Sequence, residues 1–329
     1  MKKCIFGLCL LFSAVQMQAQ SYHFSQFFST PLLTNPANTG FTDGPYRVAT
    51  NIRRQGVGDG PYFTGYVSAE LSALRDRLPL GHKAGIGFYG MNDNSLLGAV
   101  KTNTAGVSFA YHVGLDPYGE QSIGLGMQAS AHHRRIDYSK LTFENQFGPG
   151  GFDGSLPVGE PLFTKSKTFF DVATGVIYNR IVGNNAYFAG FSVYNILNHN
   201  ENLLDEDFTL PARFAFQAGS QFSLEYGKLY ASFTTMRQSN ASETTLGLAY
   251  GYFLTEDSKD ELIGGMWLRH KDALIPYIGF QRSNLTVGLS YDLTVSELQV
   301  GAQVRNAFEL TLIFKSPERH ELRTTIPWY

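Results

Sequence analysis

A period of two restricts this chain more than any other feature. Leu285, Val287, Leu289, Tyr291 and Leu293 alternate with Thr286, Gly288, Ser290 and Asp292, which places the two sets on opposite faces of an extended strand. Ile123, Leu125, Met127 and Ala129 repeat the pattern, as do Ala105, Val107, Phe109, Tyr111 and Val113, and finally Phe308, Leu310, Leu312 and Phe314. Stretches with a helical period are nearly absent, and Glu70 to Arg77 is the one ambiguous piece. Such segments centre near Tyr46, Tyr66, Phe88, Phe109, Leu125, Val176, Phe191, Phe216, Ala231, Leu248, Met266, Ile278, Leu289 and Leu312. Most run for about nine to thirteen residues, longer than a soluble strand and long enough to cross a bilayer at a tilt of about 45°.

The unlike faces say what surrounds them. The polar face is dominated by Gly, Ser, Ala, Gln and Asn, in a chain with 34 Gly and only 16% charged residues. A soluble sandwich would carry Lys, Glu and Thr there, whereas a crowded or wet lumen suits small and amide side chains. The expectation is an all-β fold: a transmembrane outer-membrane β-barrel of about 14 antiparallel strands in up-and-down order. A soluble sandwich or curved sheet is the alternative. Tyr62, Phe63, Tyr187, Phe188, Tyr250, Tyr252 and Tyr277 are expected in the aromatic girdles at the two membrane interfaces. Past the leader no apolar run approaches about eighteen residues, which excludes helical spans from the body of the chain. The formal charge of -2 gives no support to a nucleic-acid partner.

Lys2 and Lys3, then apolar residues from Ile5 to Val15, then Gln16 to Gln20, have the three parts of a secretory signal peptide, with cleavage expected after Ala19. Both cysteines, Cys4 and Cys9, fall in that leader, so the exported chain has no disulfide framework and must hold itself by pairing and packing. The expected division is signal peptide 1–19, N-terminal periplasmic segment 20–45, barrel 46–315 and C-terminal tail 316–329. With both termini in the periplasm, odd connections face outward and tend to be long. These include Arg53 to Gly60, Asn92 to Ala99, His132 to Ser166, Asn198 to Thr209 and Ser296 to Gln303. Even ones such as Gly183 to Asn185 and Ser283-Asn284 are tight.

Motifs with possible chemistry mostly have a structural explanation. Gly85-Ile86-Gly87-Phe88-Tyr89-Gly90 matches a dinucleotide fingerprint letter for letter, but it lies within a strand, where glycine marks close approach of a neighbour. His132 and His133 are adjacent on a strand and point to opposite faces, which prevents simple chelation. Arg134 and Arg135 beside them suit a charged rim that meets lipopolysaccharide phosphates or an acidic partner. Glu201, Asp205, Glu206 and Asp207 form an acidic outward connection without the spacing of a calcium loop. No hydrolase or zinc-protease pattern is present, so neither catalysis nor a cofactor nor a metal is expected. Asp171, Asn179, Arg213, Glu225 and Arg269 are expected as paired groups that plug the lumen.

The opening His23-Phe24-Ser25-Gln26-Phe27-Phe28, followed by Asn35-Pro36-Ala37-Asn38-Thr39-Gly40, resembles the signature of the PorP/SprF family. Arg53-Arg54-Gln55, Lys83-Ala84-Gly85-Ile86-Gly87, Leu210-Pro211-Ala212-Arg213, Ser290 to Ser296 and Ala307 to Leu312 follow in the family's order. The resemblance implies an outer-membrane barrel of the type IX secretion and gliding apparatus of Bacteroidetes. It also implies as partners a secreted adhesin or other cargo with a C-terminal sorting domain, and components of the secretion core or motor. Outer-membrane lipid and lipopolysaccharide complete the expected partners. The expected partner-binding residues lie in outward loops: Arg134, Arg135, Phe147, Phe152, Asp153, Asp205 and Phe208. A porin-like barrel for solute or lipid transport is the competing expectation. The tail from Ser316 to Tyr329 departs from the habit of ending on the last strand, and leaves Phe314 and Tyr329 as rival terminal aromatics.

Overall fold

A computed structural model describes residues 24–42, 44–56, 61–74, 77–79, 81–159, 164–197, 209–255, 260–295 and 306–317. The strands are β1 (Tyr46–Gln55), β2 (Tyr62–Ala73), β3 (Lys83–Ser95), β4 (Val100–Gly114), β5 (Gln121–Asp137), β6 (Phe147–Gly148), β7 (Gly151–Phe152) and β8 (Thr164–Val182). They continue with β9 (Asn185–Tyr194), β10 (Arg213–Leu224), β11 (Gly227–Gln238), β12 (Ala241–Phe253), β13 (Glu261–Arg269), β14 (Ala273–Arg282), β15 (Leu285–Thr294) and β16 (Ala307–Lys315). All but β6 and β7 form one closed antiparallel barrel of 14 strands, each beside its neighbour in sequence, and β1 pairs with β16 to close it. Every strand centre expected from the period of two lies in one of these strands.

Alternation sorts the side chains. Leu125, Met127, Leu248, Met266 and Ile278 face outward and are each more than half exposed. An apolar wall of that extent is solvated by lipid rather than by water. A strand of ten residues at about 3.3 Å per residue and a tilt of about 40° spans roughly 25 Å, the height of such a band. The ten-residue β1, β9, β14 and β15 therefore just cross it, while β5, with 17 residues, and β8, with 19, extend well past it on one side.

Several expected boundaries and faces move. Glu70 to Ala73 is the end of β2, so the first half of the ambiguous stretch is strand, whereas Leu74 and Arg77 lie outside it. Residues 132–137 and 164–166 belong to β5 and β8, so the longest connection begins at Tyr138. Phe188 and Tyr277 are absent from the outer girdles: both point inward and are buried. Glu225 is no lumen residue, since it sits exposed in the turn between β10 and β11. Two odd connections, after Gln238 and after Arg269, are as tight as the even ones.

The lumen is filled by protein. Residues Phe24 to Thr42 form a strap of short turns, Phe27–Ser29, Pro31–Thr34 and Pro36–Asn38, almost wholly buried inside the barrel. The strap begins near the long-connection ends of β15 and β16, where Ser25 meets Asp292 and Glu309. It leaves at the opposite end, where Gly44 lies against Ser316.

Candidate functional site

The strap is built to turn without a helix of useful length. Pro31 and Pro36 each open a short turn, where a missing N–H costs nothing. Asn35 works in two directions: its Oδ1 accepts from the Ala37 N–H at 2.9 Å, and its Nδ2 donates to the Val176 carbonyl at 3.0 Å. Asn38 Oδ1 accepts from Gln217 at 3.1 Å, and the hydroxyls of Thr39 and Ser108 meet at 2.5 Å.

Glycine admits the strap to the wall. A Cβ on Gly126 would stand 2.3 Å from the Ala37 backbone nitrogen, and one on Gly85 would stand 2.2 Å from the Thr39 carbonyl oxygen. Gly85 and Gly87, two of the three dinucleotide-like glycines of β3, are thus the floor on which Thr39 and Gly40 rest, while Gly90 faces outward. Elsewhere inward aromatics fill the space above other glycines. Phe28 packs on Trp267 and Tyr277 at centroid separations of 5.9 and 5.8 Å, and Phe41 lies over His112 at 4.3 Å.

The upper end of the strap is held by a buried ionic cluster. Ser25 donates its backbone N–H to Glu309 at 2.7 Å and its hydroxyl to Asp292 at 2.7 Å. Arg53 donates to Asp292 at 2.9 Å, to Glu309 at 2.5 Å and to the Ser25 hydroxyl at 2.8 Å. Arg269 pairs with Asp292 and donates to Asp272 at 2.6 Å. At the lower end Glu70 takes a forked pair from Arg47 and accepts the Gly40 N–H at 3.1 Å. Charges so deeply buried persist only when matched and fully hydrogen-bonded; here each guanidinium faces a carboxylate.

Of the lumen residues expected from sequence, Asp171 accepts the Asn195 N–H at 2.8 Å, Asn179 lies 3.5 Å from Ser122, and Arg213 donates to the Leu33 carbonyl at 3.2 Å. Arg269 belongs to the upper cluster. Ser25, Asp292 and Glu309 are lumen groups that the period of two does not single out, although Ser25-Gln26 lies in the opening motif and Asp292 is the one charged residue of β15.

The structure separates the residues expected to bind a partner. Arg134 points inward, with its guanidinium 6.0 Å from the Phe169 ring centroid, whereas Arg135 points outward and is 54% exposed. His132 and His133 likewise part: His132 stacks on Phe169 at 4.9 Å inside, and His133 meets Thr168 at 3.0 Å outside. Phe147 and Phe152 come together across the β6–β7 ribbon, rings 5.5 Å apart, with 60% and 53% of their surface exposed. Asp153 shapes the ribbon's exit. Its Oδ1 accepts the Ser155 hydroxyl at 2.6 Å and the Ser155 N–H at 2.9 Å, which hold its carboxyl below the usual carboxylate range. Asp205 and Phe208, like Glu201, Glu206 and Asp207, lie outside the described residues.

A model of the type IX secretion system membrane protein PorP/SprF matches residues 16–314. The chain belongs to that family. No curated protein matches it. Among solved structures the barrel is similar to the Pseudomonas putida toluene transporter TodX, with a TM-score of 0.51 at 10% identity over 89% of this chain and 93% of that one. A TodX deltaS2S3 mutant, described as a monoaromatic hydrocarbon channel, gives 0.50 at 10% identity over 86% and 92%. At that identity the likeness shows the fold alone: this PorP/SprF member is a closed barrel of the outer-membrane kind. The family is a membrane component of a secretion system rather than a known enzyme class.

Proposed function

We propose that this PorP/SprF barrel is a non-enzymatic docking station whose loop end receives the C-terminal sorting domain of a secreted adhesin or other cargo. One observation carries the reading: two exposed aromatics, Phe147 and Phe152, stand side by side on a braced ribbon at the end where β5 and β8 outrun the lipid band. Burying each ring in a partner's pocket gains on the order of 2 kcal/mol. The strap supports the same reading, since residues 24–42 occupy the lumen and leave the barrel to serve through its outer surfaces. The short-turn end is the face offered to secretion core or motor components.

The test is the double substitution Phe147→Ala with Phe152→Ala, scored by the amount of cargo retained on the cell surface. Retention is expected to fall at least tenfold while the amount of folded barrel in the outer membrane stays constant. Unchanged retention overturns the assignment of the ribbon. Solute transport, as the names of the TodX structures suggest for those proteins, competes with this reading. Planar-bilayer recordings of the purified chain decide against docking if they give open-channel currents.

A further inference from the structure

The outer wall of β3, β4, β5 and β8 changes character at one level. Up to the cross-strand row Gly90, Ala105, Ala131 and Phe170 it is apolar, with Val107, Met127 and Phe170 at least half exposed. The next two rows are polar. One runs Asn92, Asn103, His133, Thr168, and the other Asn94, Lys101, Arg135, Ser166, each residue in register with the next. The amides are already ordered: Asn92 donates to Asn103 at 2.6 Å, and Asn94 donates to Asn92 at 2.6 Å.

Within the second row Lys101 stands directly opposite Arg135. Like charges in that position repel and destabilise a sheet. Lys140 adds a third cation, because its Nζ and the Lys101 Cε lie 3.9 and 3.5 Å from where a Cβ on Gly98 would stand. Among the described residues the carboxylate paired with Arg135 is that of Asp137, whose Oδ2 stands 4.0 Å away while its Oδ1 accepts the N–H and hydroxyl of Ser139. In the lumen every guanidinium of the strap's clusters meets a carboxylate. On this outer rim, among the described residues, the three cations have one carboxylate within ion-pair distance, that of Asp137.

We propose that these two rows hold the phosphorylated, sugar-bearing headgroup of an outer-leaflet glycolipid. Its phosphate sits among Lys101, Arg135 and Lys140, while the side chains of Asn92, Asn94 and Asn103 face its sugar hydroxyls. The occupant follows from height and charge together. A lipid whose acyl chains lie on Val107, Met127 and Phe170 brings its headgroup to the level of Lys101 and Arg135, and phosphate relieves the repulsion between them. The site rests on the barrel's place in the outer membrane and is independent of cargo docking.

The experiment uses the full purified chain in detergent, its folding verified by heat-modifiable mobility, and measures binding of bis-phosphorylated lipid A by native mass spectrometry. Lys101→Ala, Arg135→Ala and Lys140→Ala combined are expected to weaken binding at least about tenfold, as loss of several charge-assisted contacts requires. Dephosphorylated lipid A should bind the unaltered protein equally weakly, and Arg180→Ala on the opposite rim should change nothing. Arg135→Gln alone gives an intermediate loss if the triple variant folds poorly. Equal affinity for lipid A with and without phosphate overturns the proposal, as does full competition by millimolar inorganic phosphate, which marks a free-anion site. Cargo retention is not read here, so failure of either proposal leaves the other standing.

Discussion

Asp292→Ala tests how the strap is held. The residue joins Arg53, Arg269 and the Ser25 hydroxyl in a cluster whose members are almost completely buried. Its removal leaves Arg53 with Glu309 and Arg269 with the half-exposed Asp272, and breaking such a buried pair costs about 3–5 kcal/mol. The loss falls on the closed position of residues Ser25 to Thr30. The lower half of the strap keeps Asn35, Thr39 and the Arg47–Glu70 fork. At the lower bound, local opening becomes roughly a hundredfold more frequent, since about 1.4 kcal/mol is a factor of ten. The chain's two cysteines are Cys4 and Cys9, so with both replaced by Ser a Thr30→Cys substitution places a single thiol at a position only 2% exposed. Maleimide labelling of that thiol in proteoliposomes should accelerate by about two orders of magnitude when Asp292→Ala is added. If the rate changes less than threefold while the barrel stays heat-modifiable, the cluster does not hold the strap, and the reasoning from matched charges fails.

Gly126→Val drives a side chain into the Pro36–Ala37 backbone, an overpacking that costs about 1–3 kcal/mol or more; it should lower the urea midpoint of unfolding, whereas Gly264→Ala, which meets nothing within 4 Å, should leave it unchanged. Deletion of residues 24–42 should convert a silent barrel into a conducting one in planar bilayers; silence after deletion shows that something else fills the lumen. Asp153 has a depressed pKa in the fold, so its contribution to the ribbon's exit is fully present above the unfolded value of about 3.9 and is lost as pH falls through the lower folded value. The protection of amides 153–156 against hydrogen exchange, taken relative to the intrinsic rate at each pH, should hold through about pH 5 and fall only below about pH 4, with Ser155→Ala moving the onset upward.

The period of two made the wall legible because lipid outside and small residues inside differ sharply in β3, β4, β5 and β15. It failed at Tyr277 and Phe188 for a physical reason. A filled lumen wants aromatics too, so hydrophobicity alone does not tell the two faces apart. The distinguishing sign is pairing with glycine: Tyr277 lies over Gly279 and Gly288, and Phe188 over Gly219. The strap was legible only as a motif. Its turns are three or four residues long and have no period, and its partners are far away in sequence. Strand ends were misjudged at β5 because charged residues such as Arg134 and Arg135 read as loop, although a barrel wall that rises above the lipid carries charge on strands. The loop residues Phe147 and Phe152 were visible as aromatics among glycines, but their meeting across a ribbon was not.

The union of β1 with β16 also sets an order of assembly. Ser25 and Glu309, bonded in the finished protein, are 284 positions apart, and the carboxylates that fasten the strap's upper end lie on β15 and β16. The N-terminal stretch must therefore already be lodged within the curling sheet when the final strand zips against the first, because afterwards the wall is continuous. Until Asp292 and Glu309 are in place the upper end of the strap has no carboxylate to grip, and the stopper is held by lower contacts such as those with Glu70, Ser108 and Val176.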